Sequence, residues 1–224
     1  MPRRTIIPIN EIDGCKLTDK TLLFNKNYLD KSIEMLDSMS KKHSRVSQTR
    51  MDFRYPQNMQ SDGSNRNFSR AIQTLNQELT KEGYDPRYCA RREQKKQHNP
   101  HYHLCIMVNG NKQKQRSSLV EKAEKHWANA LGLTQEEVHE KKLVYPCNHD
   151  PDGNPRPNGY MLKRNSEDYG ETRGQMIRQM SYLTKYDPND TTPSSTRKFF
   201  ASQNKEKKAT VQKPLREKAI KHWV

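Results

Sequence analysis

Two histidines at alternate positions, His101 and His103, are the residues of this sequence most clearly placed to do chemistry. They lie in the segment HYHLCIMV (101–108), whose composition predicts a β-strand, so residues two apart share a face. Both imidazoles would point away from the more apolar side that carries Tyr102 and Leu104, and imidazole suits several divalent metals. Two surface histidines beside a core strand have the same spacing, so the metal-site hypothesis depends on neighbouring residues.

A carboxylate that could complete such a site is Glu93, on the preceding predicted strand (87–94). Period-two counting puts Glu93 on one face with Cys89 and Arg91. The two strands are close enough in sequence to form a hairpin, so Glu93 could supply an oxygen ligand of the kind that Mg²⁺ or Mn²⁺ prefers. The alternative is an exposed Glu93 paired with Arg91 or Lys95.

A second group of reactive side chains is the pair Tyr182 and Tyr186, which lies in a predicted helix (170–186). Residues four apart share a helix face, so the two phenols would project together, with Lys185 and Arg178 beside them. A neighbouring cation favours the phenolate, which is the nucleophilic form of tyrosine. Two amphipathic tyrosines at a helix edge are the alternative.

Together these residues suggest one reaction at a phosphodiester. A metal ion held by His101 and His103 would orient the phosphate and polarise one of its oxygens. A tyrosine would attack phosphorus and become covalently linked, and Lys185 would stabilise the negative charge that develops.

The elements that must position these residues alternate between the two periodicities. Helices are predicted at 18–39, 68–83, 119–132 and 170–186, and strands at 45–55, 87–94, 101–108 and 142–147. Adjacent hairpin strands predict an α+β fold, with an antiparallel central sheet and helices packed on one face. In the first strand, Met51 and Phe53 would face one side, and Arg50 and Asp52 the other.

The composition favours a polyanionic partner. The chain has 224 residues, with 41 Lys and Arg against 26 Asp and Glu, a formal charge of +15. A surplus of this size attracts nucleic acid, and we expect phosphate contacts from Arg50, Arg54, Arg91 and Arg178, although simple solvation is the alternative for each.

No apolar run approaches the roughly 18 residues of a transmembrane helix, so we expect no membrane contact. Without a hydrophobic signal core or a CxxC pair, we expect a cytoplasmic protein with reduced thiols.

Three regions are predicted along the chain. Residues 1–43 form a peripheral helical segment, and residues 44–190 form the main domain. Residues 191–224 carry nine Lys and Arg against two acidic residues, which predicts a basic, partly disordered tail with a short helix near 215–223.

The segments NPHYHLCIMV (99–108) and SYLTKYDP (181–188) resemble the HUH endonuclease superfamily, and in particular its two-tyrosine rolling-circle replication initiators. Three further segments resemble the inovirus-type phage replication protein family: RMDFRYP (50–56), GYDPRYCARREQ (83–94) and RKFF (197–200). The resemblance covers roughly residues 44 to 202 and identifies 44–190 as the endonuclease domain.

This resemblance implies a palm-like, RRM-like sheet and site-specific nicking of DNA, with a 5′-phosphotyrosine intermediate and a free 3′-OH. It implies that His101 and His103 bind Mg²⁺ or Mn²⁺, with Glu93 as third ligand. Tyr182 would be the first nucleophile and Tyr186 the second, assisted by Lys185. Its DNA would be single-stranded or supercoiled, and a host or phage helicase and polymerase would be partners in a bacterial cytoplasm.

The biological purpose of such nicking stays open at this point. Initiation of rolling-circle replication by a phage or mobile element is the first hypothesis. The same chemistry could act against a competing element's DNA or in transposition. A third hypothesis is a non-catalytic DNA- or RNA-binding module.

Overall fold

The computed structural model describes residues 6–9, 11–12, 14–17, 23–95, 99–113, 115–149 and 153–203. The predicted helix near 215–223 and residues 18–22 of the first predicted helix lie outside these residues. The strands in chain order are β1 (Ile6–Pro8), β2 (Glu11–Ile12), β3 (Cys15–Lys16), β4 (Leu23–Asn25), β5 (Arg45–Phe53), β6 (Arg87–Glu93), β7 (His101–Asn109), β8 (Val144–Tyr145), β9 (Gly159–Lys163), β10 (Lys185–Tyr186) and β11 (Phe199–Ala201). The helices are α1 (Lys26–Lys42), α2 (Arg66–Lys81), α3 (Ser117–Leu131), α4 (Gln135–Glu140) and α5 (Tyr169–Ser181), and a 3₁₀ turn spans Tyr182–Thr184.

The main sheet has six antiparallel strands, in the order β11–β6–β7–β5, with β8 and β9 sharing the outer edge of β5. The α+β class with an antiparallel central sheet is therefore confirmed. The strand β11 pairs with β6 at the other edge, so residues 199–201, which we expected in the basic tail, belong to the sheet. The strand β9 and the helix α4 were not predicted.

One face of the main sheet packs against α2 and α3. Phe68 of α2 stacks on Tyr102 with ring centroids 4.0 Å apart, and makes edge contacts with Phe53 and Phe200. Trp127 of α3 packs edge-on against Phe53, and its indole N–H donates to the carbonyl oxygen of Arg54. This aromatic cluster forms the first core and fixes the strand that carries the histidines.

The opposite face of the sheet is also covered by helices, whereas we expected helices on one face only. Cys89, Cys105 and Met107, which share a strand face with the histidines, are fully buried beneath α1 and α5. The residues of α5 that we expected on its apolar side, Met176 and Met180, lie in this second core. The candidate site is therefore a polar continuation of a buried apolar face.

A second, three-stranded sheet joins β1, β4 and β10. Lys185 pairs with Phe24, and Tyr186 pairs with Leu23. The first predicted helix (18–39) is therefore wrong at its start, because residues 23–25 form a strand and α1 begins at Lys26. None of the helices in the described part of the chain has both the length and the apolar character that crossing a bilayer requires.

Candidate metal centre and adjoining tyrosine

Three potential metal ligands meet at the end of the hairpin formed by β6 and β7. The register places Glu93 directly opposite His101, and Arg91 opposite His103. The Nε2 atoms of His101 and His103 lie 3.0 and 3.1 Å from the same oxygen, Oε2 of Glu93. Glu93 and His103 are almost completely buried, while His101 is partly exposed. Among the described residues, this is the one group of three or more His, Cys, Asp or Glu whose ligand atoms converge.

A fourth residue, Asp52 on the neighbouring strand β5, orients His103. Asp52 pairs with His103 across the two strands, and its Oδ1 lies 2.7 Å from His103 Nδ1. Burial raises the pKa of Asp52, but the His103 ring and the Arg50 guanidinium outweigh it and lower the pKa to about 2. Asp52 is therefore an ionised acceptor, and an outer carboxylate of this kind commonly fixes the ring of a metal-binding histidine.

The hydrogen-bonding capacity of His103 provides a test of whether a metal ion fits here. A neutral imidazole has one N–H donor, and an ionised carboxylate can only accept, so Asp52 takes the Nδ1 proton. In this neutral form the Nε2 lone pair of His103 would face the Glu93 oxygen, and two acceptors in contact need a proton or a cation between them. Donor atoms about 3 Å apart match neighbouring positions around an ion that binds its ligands at about 2.1 Å. The three side chains thus fit a divalent metal ion.

Lysines compensate the charge of Glu93 on its other oxygen. Lys185 Nζ lies 3.4 Å and Lys95 Nζ 3.7 Å from Glu93 Oε1. Burial would raise the pKa of Glu93, but the contacts with both histidines and the charge of Lys185 hold it far below its ordinary value. The carboxylate is therefore present in its ligand form.

Tyr182 lies directly beside this centre. The helix α5 ends at Ser181, and the 3₁₀ turn that follows turns the Tyr182 ring edge-on toward the His103 ring, with centroids 5.3 Å apart. Lys185 Nζ donates a hydrogen bond of 3.2 Å to the Tyr182 hydroxyl, so one ammonium joins the phenol to the Glu93 carboxylate. The guanidinium of Arg50 covers the Tyr182 ring at 4.1 Å.

Tyr186 does not lie beside Tyr182 as we predicted. The predicted helix (170–186) is wrong beyond Ser181, because Lys185 and Tyr186 form the strand β10. Alternation along a strand turns Lys185 inward, where it is buried, and Tyr186 outward, where it is 43% exposed. The structure thus brings together Tyr182 and Lys185 but leaves Tyr186 on the outer face of the small sheet.

The four arginines that we expected at a nucleic-acid surface fall into two pairs. Arg50 and Arg91 are buried, and Arg91 Nη2 lies 3.6 Å from Asp190 Oδ2, so neither side chain lies open at the surface as we expected. Arg54 and Arg178 are exposed, as a phosphate contact requires. Asp52 was not predicted as a site residue, although the strand period places it beside Arg50 on the polar face of β5.

An antiparallel α+β fold with a buried His–Glu centre defines a candidate metal-binding protein. The model of the YagK/YfjJ C-terminal domain family matches residues 11–202, and the chain belongs to this family. Among curated proteins, none matched the chain. Among solved structures, the chain is similar to the N-terminal nuclease domain of non-structural protein 1 of Minute virus of mice, at 12% identity over 69% of this chain and 99% of that one, with a TM-score of 0.33. A TM-score this low does not establish a common fold, so any function must rest on the residues of this chain.

Proposed function

We propose that this protein is a metal-dependent, site-specific DNA nicking endonuclease that becomes covalently attached to DNA through Tyr182. The observation that carries the proposal is the shared ammonium of Lys185, which contacts both the Tyr182 hydroxyl and the Glu93 carboxylate. A cation beside the phenol favours the nucleophilic phenolate, and a metal ion at the adjoining His–His–Glu centre would stabilise the charge that develops on the phosphate. These are the two aids that attack by Tyr182 on a phosphodiester would use.

In this proposal the residues of the chain divide the reaction between them. The Tyr182 hydroxyl gives its proton to water as its oxygen forms a bond to phosphorus, and the bond from phosphorus to the 3′-oxygen breaks. The leaving 3′-oxygen takes up a proton from water and becomes a 3′-OH, while the 5′-phosphate stays attached to Tyr182. Lys185, as a hydrogen-bond donor to the phenol oxygen, favours its deprotonated form.

Glu93, His101 and His103 would hold the metal ion, and we expect Mg²⁺ or Mn²⁺. When bound, the ion supplies Lewis-acid polarisation of the phosphate. Asp52 keeps His103 turned so that Nε2 faces Glu93, the other candidate ligand. The charge of the whole chain, +15, favours accumulation of DNA near the site without sequence selectivity.

The resemblance of the tyrosine and histidine segments to rolling-circle initiators supports initiation of replication for a phage or mobile element in a bacterial cytoplasm. Its partners would then be single-stranded or supercoiled DNA, and a helicase and polymerase of the host or phage. Nicking of a competing element's DNA and transposition use the same chemistry, and they differ only in which DNA carries the site.

The test is a covalent-adduct assay. Purified protein is incubated with Mn²⁺ and a mixture of supercoiled and single-stranded DNA, and the products are separated on a denaturing protein gel. We expect a metal-dependent band shifted by attached DNA that disappears in Tyr182→Phe and persists in the matched variant Tyr186→Phe. His101→Ala should remove the adduct, whereas His139→Ala, which alters an exposed histidine of α4, should not.

Two results would overturn the proposal. An adduct that survives in Tyr182→Phe but is lost in Tyr186→Phe would show that the nucleophile is Tyr186, on the outer face of the small sheet. Salt-sensitive DNA binding with no adduct or nick, for every metal and DNA tested, would make the protein a non-catalytic binding module.

A further inference from the structure

Arg50 and Asp52 lie on the same face of β5, the strand that pairs with β7 and so borders the hairpin. Arg50 is 6% exposed and Asp52 is 7% exposed. Arg50 Nη2 lies 3.8 Å from Asp52 Oδ1, which is also the oxygen that contacts His103. One oxygen of Asp52 therefore contacts both His103, a candidate metal ligand, and Arg50.

The Arg50 guanidinium also lies over the Tyr182 ring, at 4.1 Å from the ring centroid. Lys185 Nζ also lies over this ring, at 4.3 Å. The two cations restrict the ring, and of the two only Arg50 has a planar group that can stack on it. A buried arginine held by Asp52 is thus suited to fix the orientation of the phenol.

We propose that Arg50 and Asp52 form a positioning pair that sets the Tyr182 phenol relative to the metal ligands. Asp52 fixes the ring of His103, and Arg50, anchored on Asp52, fixes the ring of Tyr182. This inference rests on the proposed function and changes the role that the sequence predicted for Arg50, from a phosphate contact at the surface to a buried support of the nucleophile.

The pair is tested first without any DNA. Protein labelled with 3-fluorotyrosine gives one ¹⁹F signal for Tyr182, assigned by its loss in Tyr182→Phe. Arg50→Lys keeps the charge but removes the planar group, so we expect the Tyr182 signal to shift. The matched control Arg54→Lys alters an exposed arginine of the same segment and should leave that signal in place.

Metal affinity tests the second member of the pair. In calorimetric titration, Asp52→Asn should bind Mn²⁺ with about 10- to 100-fold weaker affinity than wild type. A loss of this size is typical when a carboxylate that orients a metal-binding histidine is removed. Arg50→Lys should bind Mn²⁺ with unchanged affinity. If Asp52→Asn does not fold, as judged by near-ultraviolet circular dichroism, Asp52→Glu is used. It keeps the charge, moves the carboxylate, and should also weaken binding.

DNA binding and adduct formation then separate a support from a phosphate contact. Arg50→Lys should slow adduct formation at saturating DNA by up to about 100-fold, the cost of a small misplacement of a reacting group. Its DNA affinity and the dependence of that affinity on salt should match wild type. Arg54→Ala should make the negative slope of log affinity against log salt concentration shallower by about 1, because one phosphate contact is lost.

Each half of the inference has a result that overturns it. An unshifted Tyr182 signal in Arg50→Lys, together with weaker DNA binding and a reduced salt slope, would show that Arg50 contacts phosphate. Wild-type Mn²⁺ affinity in a folded Asp52 variant would remove Asp52 from the pair. If wild-type protein forms no adduct, the proposed function fails, while the fluorine signal and the metal affinity still decide whether the pair exists.

Discussion

Replacement of Glu93 by glutamine tests the candidate centre most directly, because it keeps the volume of the side chain and removes its charge. Glu93 is 2% exposed, and its carboxylate lies within 3.7 Å of two imidazoles and two ammonium groups. In the absence of metal, Glu93→Gln leaves Lys185 without its carboxylate. Removing one partner of a buried ion pair costs about 3–5 kcal/mol. Lys185 keeps its 3.2 Å contact with Tyr182, so we expect about 3 kcal/mol.

Metal ions should act in different ways on the two proteins. A ligand that binds only the folded state stabilises it by about 2.7 kcal/mol when its concentration is 100 times the Kd. Wild-type protein should therefore gain stability when Mn²⁺ is added, and lose it again with EDTA. Glu93→Gln should gain far less at the same concentration, because it lacks the oxygen ligand.

The assay is thermal and chemical unfolding with EDTA or Mn²⁺, with Glu140→Gln as the control for loss of an exposed carboxylate. The control should follow wild type in both conditions. Equal stabilisation of Glu93→Gln and wild type by Mn²⁺ would refute Glu93 as a ligand. An unchanged stability of Glu93→Gln in EDTA would refute the buried ion pair with Lys185.

Three further predictions concern the scaffold. Gly159→Ala should destabilise the protein by about 1–3 kcal/mol in denaturant titration, because the new Cβ would lie 1.8 Å from the Gln48 carbonyl oxygen. The control Gly170→Ala, which has open space around it, should not destabilise the protein. Equal effects of the two substitutions would refute the close approach of β9 to β5. Phe68→Ala should cost about 3–5 kcal/mol by the same measurement, since Phe68 contacts three other rings; a loss below about 1 kcal/mol would contradict the aromatic core. Asp85→Asn should lower the melting temperature at pH 7 by an amount that shrinks as the pH falls from about 4 to 2. Burial raises the pKa of Asp85, but Lys42, His43 and Arg87 lower it from 3.8 to about 2, so the wild-type carboxylate stabilises the fold above that window and loses its charge within it. A difference between the two proteins that stays constant from pH 7 to 2 would contradict this assignment.

The strand-based part of the site could be predicted because it depends on local rules. Period two places both histidines on one face, and the short connection between the strands leaves a hairpin as the simplest pairing. These two rules put Glu93 on the neighbouring strand, whereas the register that sets it opposite His101 depends also on the connection between the strands. The apolar residues Cys105 and Met107 on the same face indicate that helices cover it too, contrary to the prediction of helices on one face only.

The tyrosine part could not be predicted because it depends on contacts distant in sequence. Helical spacing fits residues 182 and 186 as well as it fits the true helix α5. The chain leaves the helix because Lys185 and Tyr186 pair with β4, about 160 residues away in the sequence. Neither segment has a local pattern that predicts this pairing, because β4 has three residues and β10 has two, which is too short to show a strand period. The inward turn of Lys185 and the outward turn of Tyr186 follow from it.

The place where α5 ends also accounts for where the centre lies. Along one face of β7, Met107 and Cys105 are fully buried in the second core, His103 is 4% exposed, and His101 is partly exposed. Exposure therefore increases toward the end of the hairpin at which α5 gives way to the 3₁₀ turn. A longer α5 would carry Tyr182 and Lys185 in one regular helix, and the strand pairing that turns Lys185 toward Glu93 would be lost. The end of the helix at Ser181 is thus what allows one strand face to serve as core along most of its length and as a candidate metal centre at its tip.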